Sequence, residues 1–479
     1  MSALALRFLT LLLFSLSSSF VVAEEQPDPY DTHALLPLKS SLRLQGAQGD
    51  PCEKTSLPNH ALSLFEVVDI ALCNNPQTRE VWASARVQAA QVGVNQAAYL
   101  PNLNLNAGLS RNWPANGAAY NQRNIGLSLS YLIYDFGARS ANLDSAKQLL
   151  NAASYTQDSV VQTVFLAAVQ SYYQTQSSLA ALEATRESEA AAKASFDAAQ
   201  ARYQAGSATP ADKFSAQTAY SQATLNRITA SGTHQIARGT LANIMGFDVP
   251  QPIELITADP LPNAEDFQRN IAALIDKARE LRPDLRAAEA QVLSAQANSE
   301  AARAAALPTI SLGATSNYQG VMGNGMNRGS TLGITLTAPL FAGYAPTYRI
   351  RSADAQVEVK QAQLERLRLQ VALDVWNAYQ NLTTATQAIR ATADLLQSAS
   401  QSERVASGRY KAGVGVMLDV LNAQSALANA RQQEIQARFN WNVSRATLAQ
   451  TMGDMDVGLL QELSTTAATE HPTNIKKTE

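Results

Sequence analysis

The sequence predicts an α+β membrane protein of two tandem structural repeats, in which four strands per chain are completed by identical chains into a trimeric 12-stranded β-barrel continuous with a long α-helical barrel. Three observations predict it. Arg139 to Gln204 and Thr347 to Lys411 (204 − 139 + 1 = 66 and 411 − 347 + 1 = 65 residues) run without proline and are rich in Ala, Gln and Ser. At 1.5 Å per residue each makes a helix of about 100 Å, which needs a neighbour along its whole length. Ahead of each long stretch, the apolar period changes from 3.6 to 2. Finally, the second half repeats the first in phase: Pro76 and Pro283, Pro101 and Pro308, Tyr172 and Tyr379, Tyr203 and Tyr410, Asp212 and Asp419, and Gly246 and Gly453 are each 207 apart (283 − 76 = 207, and so for the rest). An internal repeat overrides the division into about three domains that a length of 479 invites.

Residues 1–23 carry Arg7, an apolar run from Leu9 to Phe20 and the ending Val21-Val22-Ala23, the pattern of a cleaved signal peptide. An N-terminal anchor is the weaker reading, because Ser15, Ser17, Ser18 and Ser19 interrupt the run. An extended leader follows over 24–60, with Pro27, Pro29, Pro37, Pro51 and Pro58. Cys52 and Cys73 are the only cysteines, and an exported chain can keep them oxidised. A bridge between them would tie the leader to the first helix; two unpaired thiols, with Cys73 at a helix-packing position, are the alternative. Two cysteines and the scattered His33, His60, His234 and His471 make a poor metal site.

The first repeat spans 61–247. Leu64, Val67, Val68, Ala71 and Leu72 recur at helical spacing, Asn74-Asn75-Pro76 interrupts, and a second helix runs to about Tyr99 before Pro101. Strands follow at 102–112 and 124–134, where Leu103, Leu105, Ala107, Leu109 and then Ile125, Leu127, Leu129, Tyr131 alternate with Asn, Ser and Gly. In the long helix at 138–205, Val161, Phe165, Ala168 and Tyr172 form a heptad-like seam. Gly206 to Pro210 turns the chain into a helix at 211–245, Gly being suited to a C-terminal cap and Pro to a helix start. A proline-rich linker covers 248–270. The second repeat, 271–454, carries strands at 309–318 and 331–341, joined by an exposed turn from Asn324 to Gly329. Helices follow at 346–411 and 417–452, and 455–479 is a tail.

Four strands of nine to eleven residues with one apolar and one polar face suit a bilayer-crossing sheet. Its two edges cannot stay open in lipid. Eight strands make a barrel filled by side chains, so three chains, 3 × 4 = 12 strands, are the smallest arrangement that leaves a lumen. A net charge of −3 without a basic stripe gives no reason to expect nucleic acid. No Walker-type loop, His-Glu-x-x-His or nucleophile elbow is present, so neither catalysis nor a cofactor is expected. The competing class is a periplasmic coiled-coil scaffold or adhesin that never inserts.

From Leu64 to Asp454 the chain resembles the TolC-like outer-membrane efflux proteins. The residues that carry the likeness are Asn75-Pro76 and Arg282-Pro283, Tyr-Leu-Pro and Ala-Leu-Pro before each first strand, Phe-Gly and Phe-Ala-Gly after each second, and the paired Tyr-x-Ala-Gly ends. The resemblance implies a homotrimer whose barrel sits in outer-membrane lipid and whose helices reach through the periplasm. It also implies docking to a periplasmic adaptor and an inner-membrane transporter, of the ABC type or alternatively an RND-type pump. Asp50-Pro51-Cys52 and Asp69 to Pro76 look like the CyaE-type branch serving type I protein secretion, with drug efflux the competing cargo. In the family the helix tips close the tube. By register Tyr410 and Asp212 match a linking pair, Asp419 matches an aspartate ring, and Tyr203, Gly206, Gly413 and Gly415 fall at the tip turns that face the adaptor. Gly415 stands in place of a linking arginine and Asn422 in place of a second aspartate, which implies a gate with fewer ionic ties. For Asp212 and Asp419 the plainer reading is a helix-start carboxylate favoured by the dipole.

Overall fold

The computed structural model describes residues 28–36, 56–249, 251, 253–256, 271–322 and 325–453. The signal peptide, much of the leader with Cys52, most of the linker and the tail lie outside the described residues. In chain order the elements are α1 (Leu64–Asn74), α2 (Pro76–Ala97), β1 (Asn102–Asn112), β2 (Tyr120–Tyr134), α3 (Ala138–Gln204), α4 (Pro210–Ile244), α5 (Ile271–Leu281), α6 (Pro283–Ala304), β3 (Thr309–Val321), β4 (Asn327–Thr337), α7 (Ala345–Lys411) and α8 (Met417–Thr451). A short 3-10 turn, Thr32–Leu35, rests on α2.

Helix starts are set by local chemistry. Ser63 and Glu66 form a capping box at α1. The Asn75 side chain accepts the Gln77 N–H at 2.9 Å with Pro76 in the first helical position, so α2 begins where α1 stops. At the equivalent place in the second repeat Arg282 offers no cap; its guanidinium instead binds Asp284 at 2.6 Å and Asp374 of α7 at 3.2 Å, fastening α6 to the long helix.

The long helices α3 and α7 have 67 residues each, about 100 Å. Each is flanked by two shorter helices placed end to end, α2 and α4 along α3, α6 and α8 along α7. Helix α6 also packs on α3, with Ser145 and Ser294 hydroxyls bonded at 2.9 Å in a buried contact between small residues. Part-way along α3 lies the larger core, where Val161, Phe165, Ala168 and Tyr172 are all buried against Val67, Val68, Leu241 and Met245. There Leu62 forms a parallel bridge with Leu255. Cys73, on α1, is buried and disulfide-bonded.

The four strands form one antiparallel sheet in the order β1-β2-β3-β4, so β2 and β3 join the repeats and β1 and β4 are free edges. Strand β4 corrects the expectation of 331–341: it runs from Asn327 to Thr337. The ladder stops short of Pro339, which has no N–H to give, and it begins inside the stretch expected to be the exposed turn. Strands β2 and β3 likewise extend past their expected outer ends, to Tyr120 and Val321. Among the described residues no helix is long and apolar enough to cross a membrane.

Candidate functional site

The register sorts the sheet into two faces. Leu103, Leu129, Ala314 and Leu332 align across the strands on one side; Asn104, Ser128, Thr315 and Thr331 align on the other. Leu103, Leu105, Leu109, Leu332, Ile334 and Leu336 are exposed in the single chain, an apolar surface far beyond what a water-facing sheet tolerates. On the polar face glycines lie beside amides. A side chain on Gly126 would run into Asn317 Oδ1, and one on Gly108 would stand 2.6 Å from Asn124 Oδ1. These glycines let the asparagines lie flat against the wall, which keeps the space beyond it clear.

Aromatic pairs mark the sheet-to-helix junction. Tyr134 meets Phe136 edge-on with centroids 4.7 Å apart, and Phe341 meets Tyr344 at 5.6 Å. Phe136 and Tyr344 hold left-handed backbone, at φ 53° and 61°. On the first side Asp135 accepts the Arg139 N–H at 2.9 Å and its Nε at 3.0 Å, and the guanidinium lies 4.9 Å from the Tyr99 ring. The tyrosines among them, Tyr99, Tyr134 and Tyr344, each have one polar edge and suit a membrane–water interface.

At the far end of the long helices the chain turns twice. The first tip has Gly206 in left-handed backbone at φ 72°, and Ser207 N–H reaches Arg202 O at 2.9 Å. Thr209 and Asp212 then form a reciprocal capping box: the carboxylate accepts the Thr209 hydroxyl at 2.8 Å and its N–H at 3.2 Å. Asp212 is therefore engaged in starting α4, and within one chain it does not reach Tyr410. Tyr203 carries Lys213 5.5 Å from its ring. The second tip has Gly413 at φ 79° and no side-chain cap on α8. A Cβ on Gly415 would lie 3.0 Å from Tyr410 N and 3.1 Å from the Arg409 backbone, so this glycine is the close-approach point that folds α8 back on α7.

The two tips touch through a residue the sequence reading passed over. The Arg202 guanidinium sits 4.2 Å over the Tyr410 ring and donates to Tyr410 O at 3.0 Å. The Tyr410 hydroxyl is buried without a partner among the described residues. Beneath it Ala199, Ala216, Met417 and Val420 form a small apolar cluster drawn from α3, α4 and α8. Further up, Gln424 Nε2 donates to Ser195 at 3.0 Å, and Arg431 pairs with Glu187 at 2.9 Å. The signal was present in sequence: Arg202-Tyr203 and Arg409-Tyr410 are the same dipeptide 207 residues apart. Asp419 and Asn422 are brought together on one groove of about 1070 Å³, shared with Asp394 and Arg409.

Residues 67–247 and 274–454, one block per repeat, match the family described as outer membrane efflux protein. The chain belongs to the outer membrane efflux protein family. It is similar to protein CyaE of Bordetella pertussis, 31% identical over 393 residues, covering 80% of this chain and 82% of that protein. It is also similar to outer membrane protein TolC of Escherichia coli, at 23% identity, covering 88% and 87%. Among solved structures the CmeC outer membrane channel of Campylobacter jejuni shares the fold with a TM-score of 0.75 at 18% identity, covering 85% of this chain and 90% of that one. The open-state MtrE channel of Neisseria gonorrhoeae does so at 0.71 and 21%, covering 88% and 98%. This member of the family is thus a trimeric channel: three four-stranded sheets close the barrel in the outer membrane, the apolar face meets lipid, the amide-lined face meets water, and the helices extend into the periplasm.

Proposed function

We propose that this channel is the exit duct of a type I protein secretion system, fed by a periplasmic adaptor and an inner-membrane ABC transporter. The observation that carries the reading is the 31% identity to CyaE, against 23% to 28% for the TolC, OpmQ, OprJ and SepC relatives. The wall chemistry fits. Asn, Ser, Thr, Gln and Gly on the luminal face offer hydrogen bonds without charge, so an extended polypeptide of any local charge passes without being held. The duct does no chemistry of its own, and the energy comes from the transporter.

The tips serve as the gate. Arg202 holds Tyr410, the apolar cluster closes beneath them, and Asp419 with Asn422 lines the approach. Opening separates α7 and α8 from α3 and α4, breaking the Arg202–Tyr410 tie in each of three chains, while the outer faces of Gly206 and Gly413 meet the adaptor.

Small-molecule export is the second reading, favoured by the 26% identity to the pyoverdine export protein OpmQ of Pseudomonas aeruginosa. Deleting the gene and measuring secreted proteins beside drug sensitivity separates them. Loss of one or more large secreted proteins with unchanged drug tolerance is the expected result; unaltered secretion removes the first reading.

A further inference from the structure

The barrel has an unusual charge inventory. From Asn102 to Tyr134 and from Thr309 to Thr337 the sequence contains no Asp, Glu or Lys, and its only charged residues are Arg111, Arg123 and Arg328. All three belong to the lipid-facing set. Arg111 follows Leu109 by two positions; Arg123 pairs with Leu109 and precedes Ile125 by two; Arg328 pairs with Tyr318 and precedes the Ser330–Leu332 run. The luminal face carries none.

Their heights agree. Counted from the periplasmic ends of their strands they lie 111 − 102 = 9, 134 − 123 = 11 and 337 − 328 = 9 residues up. At about 3.3 Å per residue and a tilt of about 40°, that is roughly 23 to 28 Å, the top of an outer-membrane barrel's ~25 Å apolar band. Aromatic rings accompany two of them, Trp113 at 5.6 Å from Arg111 and Tyr318 at 5.5 Å from Arg328. The Nε of Arg123 is buried with no hydrogen-bond partner among the described residues. At the opposite rim, Arg139 has the Asp135 carboxylate beside it; no carboxylate exists anywhere in the strands to serve the outer three.

We propose that Arg111, Arg123 and Arg328 form a belt, nine guanidinium groups around the trimer, that binds the phosphates of a phosphorylated glycolipid of the outer leaflet, of the lipid A class. A guanidinium at the edge of hydrocarbon must find an anion, and its planar fork matches phosphate in a two-bond pairing that a lysine does not reproduce. The groups face outward, so the ligand is a lipid rather than cargo. The rings beside two of them fit the boundary where acyl chains meet headgroups. The belt would set the depth of the barrel and brace the joints between chains, whatever the channel exports.

The test uses the purified full-length trimer in detergent, with bisphosphoryl lipid A, its fully dephosphorylated form and sodium phosphate as probes, read by native mass spectrometry and by thermal dissociation of the trimer. Bisphosphoryl lipid A is expected to bind and to raise the dissociation temperature, the dephosphorylated lipid to do so far less, and sodium phosphate at equal phosphate concentration not at all. Affinity should fall about five-fold for each arginine removed, about 1 kcal/mol per charge at 1.4 kcal/mol per decade, in Arg111→Gln, Arg328→Gln and the triple R111Q/R123Q/R328Q. Should the triple variant not assemble, the two single variants at exposed positions carry the measurement. Equal binding of the two lipids, equal protection by sodium phosphate, or wild-type affinity in the variants would each overturn the proposal.

Discussion

The two tips occupy the same register 207 residues apart, yet they are held in different ways. The first is self-sufficient: Gly206 closes α3, and Thr209 and Asp212 cap each other at the start of α4. The second keeps the glycine but has Val416 where the cap would be, and its α8 begins with Met417 buried in the cluster with Ala199 of α3 and Ala216 of α4. Its place depends on a neighbour. Arg202 reaches over from the first tip to the Tyr410 ring and carbonyl. Duplication therefore made one fixed end and one end fixed by it. In the gate proposed above, the moving part should be the one whose contacts are borrowed, α7 and α8.

The strongest way to break this asymmetry is Arg202→Ala. It removes a charge-assisted hydrogen bond and a cation–π contact, together about 2 kcal/mol for a half-exposed pair, and should raise the open population roughly 30-fold for each of the three ties lost. Single-channel conductance in planar bilayers reads it; wild-type closed times would mean the tie does not hold the gate. Gly415→Ala comes next. Its new Cβ must push Tyr410 or Arg409 aside at a cost of about 1 to 2 kcal/mol, and amide exchange across 409–420 should quicken while 202–216 stays protected. Equal loosening of both tips would erase the distinction drawn here.

Thr209→Ala sharpens the comparison from the other side. Loss of the cap costs about 1 kcal/mol, seen as faster exchange at 210–216, with conductance unchanged because the fixed tip is not the one that moves. The smallest effect is expected from Asp419→Ala, which leaves closure intact and weakens cation preference and block by multivalent cations at the mouth, measured as a shift in reversal potential under a salt gradient. An unaltered reversal potential would leave Asp419 with a helix-start role alone.

Much of this architecture was legible because it is written in short-range periodicity. Leu103 to Leu109 alternate and so must be a strand with two faces; Val161 to Tyr172 step by four and three and so must be a buried helical seam. The long helices came out within a residue of their expected ends, since glycine and proline at 206, 210, 343, 346 and 413 act on the backbone locally. Strand ends were less legible. Beyond Ile125 and Leu332 toward the outer rim, pairing continues through Asn, Arg and Gly, whose hydrogen bonds come from the partner strand rather than from any preference of their own.

What the sequence by itself determined is therefore the set of parts, their duplication and the need for more than one chain, because an apolar–polar alternation with two free edges cannot be satisfied by a single copy in lipid. Tertiary structure alone decided that Arg202 takes Tyr410 while Asp212 stays engaged with its near neighbour Thr209. The Arg202 contact depends on side chains about 200 residues apart arriving at one spot. Nothing in a local pattern states which of several chemically able partners will be nearest once the helices have packed.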